Sequence, residues 1–416
     1  MLYPRFITTQ ILEALADSPV VMITGARQTG KTTLVQQIAS DKHPARYLSL
    51  DDLTIRGSAQ NDPRGFLKNV SGPLIIDEIQ LVPDLLPAIK LEVDQNRQPG
   101  RFLITGSANV LTLPHISESL AGRMEIFRLF PLSQGELLTK KEVFIDWLFA
   151  NDLVFTKYKW QIAGSLLQKI TDGGYPEIIK KTNMTRKEVW FRDYVTTILQ
   201  RDIRDLAHIE GLTQMPRLLE LLAARIASLL NFADLSRTIQ IPQTSLKRYI
   251  SLFEATFLIH RLPPWSINKV RRIIKTPKLF FTDTGLAAYL LGTDVDTLSR
   301  QSRQTGPLLE NFVLSELLKQ VEWSRTRPQF FHFRNQTGLE VDFILEDRRR
   351  RCVGIEVKSA ATVRSDDFKA LRWLQKNLGE PFLRGVVLYN GEEMLPFGND
   401  LFAVPITALW QTNETE

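Results

Sequence analysis

Short apolar runs that end in polar residues recur along the first quarter of the chain and alternate with stretches of helical periodicity. They span residues 20–24, 46–52, 74–78 and 101–105. Apolar runs of this length are typical of buried strands, and strands that alternate with helices form parallel sheets covered on both faces. The pattern therefore predicts an α/β fold built on a doubly wound parallel sheet.

Helical periodicity dominates the centre of the chain. Residues 136–205 are predicted to be helical, with Trp, Phe and Tyr spaced as core residues rather than as a cofactor site. Residues 215–230 follow as a strongly apolar run that is also predicted to be helical.

A helix-turn-helix is indicated next. Residues 231–237 predict a short helix, and after a turn residues 246–250 predict an amphipathic second helix with Lys247 and Arg248 outward. The apolar residues after it and residues 278–282 are expected to pair as the strands of a winged helix. Winged helices bind proteins as well as DNA, but four basic wing residues favour nucleic acid slightly. These are Lys269, Arg271, Arg272 and Lys275.

The tail returns to strand periodicity. Residues 338–345 and 354–358 alternate polar and apolar positions, and the charged segment between them predicts a hairpin. Glu340 and Asp342 then share one face of the first strand. We expect an α/β C-terminal domain, and we place the domain boundaries at residues 1–135, 136–205 (helical connector), 206–300 (winged helix) and 301–416.

Composition adds limits rather than a function. With 416 residues, 44% hydrophobic and 24% charged, the chain has the composition of an ordinary globular protein of several domains. Its net charge of +6 is compatible with a nucleic-acid partner but does not require one. Cys352 is the single cysteine, so no intrachain disulfide is expected. Without a signal peptide or an apolar run long enough to span a membrane, we expect a cytoplasmic protein with no membrane partner.

The first candidate chemistry lies directly after the first strand, where Gly25 and Gly30 precede Lys31 and Thr32 with the spacing G-x-x-x-x-G-K-T. Glycines let backbone N–H groups surround a phosphate at a helix N-terminus, the lysine reaches the β- and γ-phosphates, and the threonine hydroxyl ligates Mg²⁺. We therefore expect an ATP site formed by Gly25, Ala26, Arg27, Gln28, Thr29, Gly30, Lys31, Thr32 and Thr33.

A phosphate-binding loop also needs a carboxylate at the end of a neighbouring strand, and Asp77 and Glu78 follow the run 74–76. Asp77 is expected to hold Mg²⁺, and Glu78 to orient and polarise the attacking water. Arg123 is a candidate for an arginine finger, given across a subunit boundary to a neighbour's γ-phosphate, or for a sensor. The finger role implies a homo-oligomeric ring.

Together these motifs resemble the prokaryotic AAA+-type ATPases that are fused to a C-terminal domain of unknown function. The resemblance rests on GARQTGKT, LIIDEIQ, ITGSA and LAGRME in the first domain, and on GGYPE at 173–177, Tyr194 with LQRDI at 199–203, and PKLFFTDTGL at 277–286. It covers nearly the whole chain and implies ATPase activity. It also implies that Ser107, at the end of the strand 101–105, senses the γ-phosphate.

The tail carries a second constellation. Asp342, Glu356 and Lys358 can converge across the predicted hairpin, and Glu310 lies on a predicted helix 308–320. This set resembles the PD-(D/E)xK nucleases, in which carboxylates, here Asp342 and Glu356, bind Mg²⁺ and the lysine stabilises charge on the phosphate. Charges on an exposed hairpin alternate in the same way, and such a fold need not cut.

The sequence therefore predicts an oligomeric, ATP-driven machine that acts on nucleic acid, with DNA as the expected partner. The alternative is a nucleotide-gated signalling or scaffold ATPase whose tail binds a protein and cuts nothing. A nuclease that uses ATP only for regulation is a third possibility.

Overall fold

The computed structural model describes residues 2–107, 120, 122–151, 165–204, 212–266, 276–300 and 302–411. Within these residues no helix is long and apolar enough to cross a bilayer. The helices of the N-terminal part are α1 (Thr8–Asp17), α2 (Lys31–Gln37), α3 (Leu53–Asn61), α4 (Pro63–Lys68) and α5 (Leu85–Gln95).

Five parallel strands form the N-terminal sheet, in the order β2-β3-β4-β1-β5. Every residue of β1 and β4 is buried, which explains their continuous apolar runs, because helices cover both faces of a central parallel strand. The predicted doubly wound α/β sheet is thus confirmed. Its strands are β1 (Val20–Thr24), β2 (Arg46–Ser49), β3 (Leu74–Asp77), β4 (Phe102–Gly106) and β5 (Met124–Arg128).

Helices make up most of the central region, as predicted. They are α6 (Gln134–Leu138), α7 (Phe144–Leu148), α8 (Leu166–Asp172), α9 (Pro176–Ile179) and α10 (Met184–Thr197), and α10 continues as a π-helical turn over Ile198–Ile203.

The prediction of one helix over residues 215–230 was wrong. The helix α11 (Met215–Ala223) ends well before residue 230, and the chain turns at Ala227, where φ is +58°. Residues 228–230 then run beside the strand β7 (Lys278–Phe281), with Leu230 N–H donating to Pro277 at 2.9 Å. An apolar run does not distinguish a buried helix from a buried strand by periodicity alone, and here one run contains both.

Two helices and a hairpin follow this turn. Helices α12 (Phe232–Ile239) and α13 (Gln243–Ala255) are followed by β6 (Ile259–Leu262), which pairs antiparallel with β7. Lys247 and Arg248 are exposed on α13. The four basic residues assigned to the wing lie outside the described residues.

A six-stranded mixed sheet forms the C-terminal part, in the order β12-β13-β11-β10-β9-β8. The predicted hairpin is confirmed, since β9 and β10 pair antiparallel with Cys352 opposite Glu346. The helix that carries Glu310 spans Ser302–Gln320. The strands are β8 (Gln329–Arg334), β9 (Glu340–Glu346), β10 (Cys352–Lys358), β11 (Phe382–Tyr389), β12 (Leu395–Gly398) and β13 (Leu401–Pro405), and the helices are α14 (Thr284–Leu290), α15 (Val295–Arg300), α16 (Ser302–Gln320), α17 (Lys369–Leu378) and α18 (Ala408–Gln411).

The central and C-terminal parts share one hydrophobic core. A continuous cluster of buried side chains runs from Phe144 to Trp410 and includes Ala26 of the phosphate-binding loop. Polar contacts reinforce it, because Glu316 of α16 accepts from the backbone of Gln134 at 2.8 Å and Lys319 donates to the Leu132 carbonyl at 3.0 Å. The helix α16 is therefore packed against the ATPase end of the molecule as well as against its own sheet.

Candidate nucleotide-binding site

The loop between β1 and α2 has the geometry that phosphate binding requires. Gly30 has φ +95° and begins α2, and a Cβ at Gly25 would collide with the Leu129 carbonyl. Only glycine fits both positions without strain or clash. Seven of the nine predicted loop residues line a cavity of about 460 Å³, namely Arg27, Gln28, Thr29, Gly30, Lys31, Thr32 and Thr33.

Lys31 is turned back onto its own loop. Its Nζ donates to the carbonyls of Gly25 at 2.9 Å and Ala26 at 2.8 Å. Burial lowers the pKa of Lys31 to about 8, against the opposing influence of the nearby carboxylates of Glu78 and Asp77. The ammonium group is thus held by neutral carbonyl groups, which a phosphate group can replace.

Asp77, at the end of β3, accepts hydrogen bonds from three hydroxyl groups. Its Oδ2 accepts from Thr32 at 2.8 Å and from Tyr47 at 2.7 Å, and its Oδ1 accepts from Thr105. The oxygens of Thr32 and Asp77 are adjacent at the mouth of the loop, and oxygen ligands are what Mg²⁺ prefers. These residues therefore fit the predicted magnesium site.

Glu78 follows Asp77 in a left-handed conformation, with φ +63°. Its N–H donates to Thr105 Oγ1 at 3.0 Å, and its carboxylate accepts from the side chain of Gln80. Gln80 also donates to Ser107 Oγ at 2.7 Å. The amide of Gln80 thus links the predicted catalytic carboxylate to the predicted sensor, a connection that the sequence analysis missed.

The opposite wall of the cavity comes from outside the ATPase sheet. It is formed by α9 and α10 through Pro176, Glu177, Lys180 and Thr197, together with Leu2 and Tyr3 from the N-terminal segment. None of these residues was predicted to line the site, although Pro176 and Glu177 belong to the motif GGYPE. A nucleotide in the cavity would contact two parts of the chain.

An ion pair joins the loop to the central helices. Arg27 Nε donates to both carboxylate oxygens of Asp202, at 2.8 and 2.7 Å. Arg27 lines the cavity, whereas Asp202 belongs to the π-helical turn that extends α10 and is buried. Charge-assisted pairs of this kind are the stronger hydrogen bonds of proteins.

The N-terminal segment contacts the phosphate-binding loop through Arg5. The Arg5 guanidinium donates to the carbonyls of Thr29 at 2.9 Å and Phe130 at 2.6 Å, and it pairs with Glu136 at 3.1 Å. Burial raises the pKa of Glu136 in spite of the Arg5 charge. This contact fixes the loop to the segment that follows β5.

Two motifs quoted from the central region meet beside this site. The Asp283 carboxylate accepts from the Gly174 N–H at 2.7 Å. It also accepts from the Leu286 N–H at 3.0 Å and so caps the N-terminus of α14. A Cβ at Gly173 would collide with that carboxylate. The neighbouring Tyr175 hydroxyl pairs with that of Tyr194 on α10 at 2.9 Å. The motifs therefore join elements that lie around the cavity.

Arg123 lies at the end of the ATPase sheet opposite the phosphate-binding loop. It precedes β5, whose first residue Met124 pairs with Val20 at the start of β1, and it pairs with Asp94. About 15 Å of strand separates it from the loop that follows Thr24. Parallel strands place Arg123 and the loop at opposite ends of the sheet, which favours the finger role over the sensor role. Both roles remain predictions.

The structure also brings the four predicted tail residues together. Val357 N–H donates to Asp342 at 2.9 Å, Lys358 pairs with Glu356 at 3.2 Å, and Glu310 faces them from α16. A fifth residue was missed: Lys278 of β7 lies 2.9 Å from Glu310 and 3.6 Å from Asp342. Burial alone would lower the pKa of Lys278, but Glu310 and Asp342 outweigh it and raise the pKa.

Comparison with protein families finds three regions that match a model. Residues 17–138 match the model described as an AAA domain, residues 164–297 match a domain of unknown function (DUF8612), and residues 305–409 match a second one (DUF4143). The chain therefore contains an AAA domain followed by regions of unknown function, and the resemblance drawn from the motifs is confirmed.

Relatives extend over the whole chain. An uncharacterized protein of Mycobacterium tuberculosis is 28% identical over 414 residues, covering 99% of this chain and 86% of the relative. An uncharacterized protein of Methanocaldococcus jannaschii is 22% identical over 426 residues, covering 99% and 92%. Among solved structures, a Walker-type ATPase of Pyrococcus abyssi aligns at 12% identity with a TM-score of 0.40, over 70% of this chain and 96% of that one. RuvB of Thermotoga maritima aligns at 20% identity with a TM-score of 0.28, over 62% and 87%. These scores are too low to carry a conclusion.

Proposed function

We propose that this protein is a Mg²⁺-dependent ATP-hydrolysing switch whose nucleotide state is transmitted to the central helices. The observation that carries the proposal is the cavity shared by the phosphate-binding loop and α9–α10, with Arg27 of the loop paired to Asp202. A nucleotide in such a cavity competes with a contact between two parts of the chain, so binding and conformation are linked.

The loop residues have distinct roles in this account. Lys31 leaves the carbonyls of Gly25 and Ala26 to contact the β- and γ-phosphates, because a phosphate is a stronger acceptor for an ammonium than a neutral carbonyl. Thr32 and Asp77 hold Mg²⁺, which neutralises phosphate charge when bound. Glu78 orients the attacking water. Gln80 holds the Glu78 carboxylate in place and links it to Ser107 by a hydrogen bond.

Arg27 supplies the switch. Its guanidinium lines the cavity and is held at Asp202 through Nε, so a phosphate that draws the guanidinium toward the loop competes with that contact. Loss of that contact releases the π-helical turn at the end of α10 and, with it, the helix that forms one wall of the cavity.

The homo-oligomer is proposed from Arg123. Arg123 lies at the end of the sheet where the parallel strands begin, so it can reach a γ-phosphate only in another subunit. Mixing Arg123→Ala subunits with Lys31→Ala subunits should restore part of the ATP turnover, because one kind of mixed interface joins an intact loop to an intact finger. Full turnover by a strict monomer would contradict this.

The nucleic-acid role is proposed from the helix-turn-helix order of α12 and α13 and the hairpin β6–β7, which support a winged helix. Arg237, Lys247 and Arg248 are exposed there, as expected for side chains that meet a phosphate backbone. ATP turnover should then rise when single-stranded, duplex, forked or four-way DNA is added. The rise should shrink with salt, because the binding is electrostatic.

The alternative, a nucleotide-gated scaffold with a silent tail, has its own supporting observation: Lys278 pairs with Asp342, one of the two carboxylates that a nuclease would use for metal, and with Glu310. We leave DNA cleavage out of the proposed function for this reason. Turnover unchanged by every DNA, at low salt as well, would favour the scaffold. The ATPase itself would fail if Glu78→Gln hydrolysed ATP as fast as wild type.

A further inference from the structure

The C-terminal carboxylate cluster is a junction of three elements that are distant in sequence. Glu310 comes from α16, Asp342 from β9 and Glu356 from β10, and Lys278 enters from β7 of the hairpin beside the central helices. Lys278 is 4% exposed, so its ammonium group is removed from water and depends on these carboxylates. The same residues therefore decide both the chemistry of the cluster and the contact between two parts of the fold.

The arrangement does not fit the metal that the nuclease resemblance implies. Among the described residues, no group of three or more His, Cys, Asp or Glu side chains is placed to hold a metal ion. Asp342 Oδ2 accepts from the Val357 N–H at 2.9 Å, and its Oδ1 faces the Lys278 ammonium. Both oxygens of Asp342 are therefore engaged, and a divalent cation held by Asp342 together with Glu356 or Glu310 would be repelled by the Lys278 ammonium group beside it.

We propose that Lys278 is the built-in cation of this cluster, so that the nuclease-like domain holds an internal ion-pair joint in place of a metal centre. Glu310 and Asp342 are neutralised by a side chain of the chain itself, and no metal-activated water is available to attack a phosphodiester. Lys278 instead fixes the hairpin β6–β7 to α16 and β9. The inference does not depend on the proposed ATPase switch.

The experiment compares Mn²⁺ binding by nucleotide-free, full-length variants, measured as the shift in unfolding temperature. Wild type should show no Mn²⁺ stabilisation that depends on Asp342. Lys278→Ala should gain one, with a rise of about 3 °C at saturating Mn²⁺. The gain should disappear in Lys278→Ala/Asp342→Asn, because the new site needs that carboxylate.

Lys187→Ala is the matched control. Lys187 is also buried and pairs with Asp172, so its loss removes a buried lysine ion pair away from the cluster and should create no Mn²⁺ site. If Lys278→Ala does not fold, Lys278→Gln takes its place, since it keeps the polar end without the charge.

Two results would overturn the proposal. One is Mn²⁺ stabilisation of wild type that Asp342→Asn abolishes, which needs no Lys278 variant. The other is a folded Lys278 variant that gains no more from Mn²⁺ than Lys187→Ala does.

Discussion

Lys31 and Lys278 are equally buried, with 4% of each residue exposed, and each lies near carboxylates. Their amino groups nevertheless contact different groups, neutral carbonyls for Lys31 and carboxylates for Lys278. Lys31 donates to two neutral carbonyls and its pKa is lowered to about 8, chiefly by burial. Lys278 pairs with Glu310 and Asp342, whose charges outweigh burial and raise its pKa. The first lysine is placed to exchange its partners for a ligand, whereas the second is neutralised within the protein.

The largest expected effect tests the first half of this comparison. Lys31→Ala should lose tight ATP binding altogether, because no other side chain replaces its charge at the phosphates. Glu78→Gln should bind ATP as wild type does but hydrolyse it about 100-fold more slowly or worse, since water orientation is lost and binding is not. Nucleotide titration and steady-state turnover check both. A Lys31→Ala protein with wild-type affinity would refute the role of Lys31.

The next effect separates the two lysines by stability. Lys278→Ala should lower the free energy of unfolding by about 3 kcal/mol, because it leaves two partly buried carboxylates without their cation. Lys31→Ala should keep it within about 1 kcal/mol of wild type or raise it, since a poorly solvated charge is removed. Urea unfolding of both proteins without nucleotide measures the difference. Equal losses of stability in the two variants would contradict the different roles of the two lysines.

The pH dependence of binding sharpens the account of Lys31. Its pKa in the free protein is lowered to about 8, so the ammonium form predominates below that pH and is lost above it. ATP affinity should therefore be flat below pH 8 and fall by up to about tenfold per unit above it. Titrations from pH 6.5 to about 9.5 test this, with Lys31→Arg as the control that stays charged and flat. An affinity that rises with pH contradicts the assignment.

The smallest expected effect concerns Arg27. Asp202→Asn removes the competitor for its guanidinium, so ATP affinity should rise about fivefold, the equivalent of about 1 kcal/mol. Arg27→Ala should lower the affinity instead, because the cation that reaches the phosphates is gone. The same titration measures both variants. A fall in affinity for Asp202→Asn would mean that the pair supports binding and does not compete with it.

Local motifs allowed much of the molecule to be predicted. The phosphate-binding loop, the strands of the ATPase sheet and the hairpin β9–β10 each follow from residues that are neighbours in sequence. The position of Arg123 could also have been predicted, because a residue that precedes a parallel strand lies at the end of the sheet opposite a loop that follows one.

What was missed depends on contacts between distant segments. Lys278 reaches Glu310 and Asp342 from 32 and 64 positions away, and Asp202 reaches Arg27 from 175 positions away. Lys278 and Asp202 lie within motifs quoted for the resemblance, but no periodicity shows which distant side chain each of them contacts. The helix predicted over residues 215–230 failed for a related reason: its last residues are apolar because β7 covers them.

The central claim is that nucleotide binding breaks the contact between Arg27 and Asp202 and so reaches the central helices. Hydrogen exchange of the full-length protein with and without ATP and Mg²⁺ tests it most directly, with Glu78→Gln used to prevent turnover. The account predicts faster exchange over Ile198–Ile203 when ATP is bound, slower exchange over residues 25–34, and neither change in a Lys31→Ala background. Protection of the loop with no change over Ile198–Ile203 would contradict it.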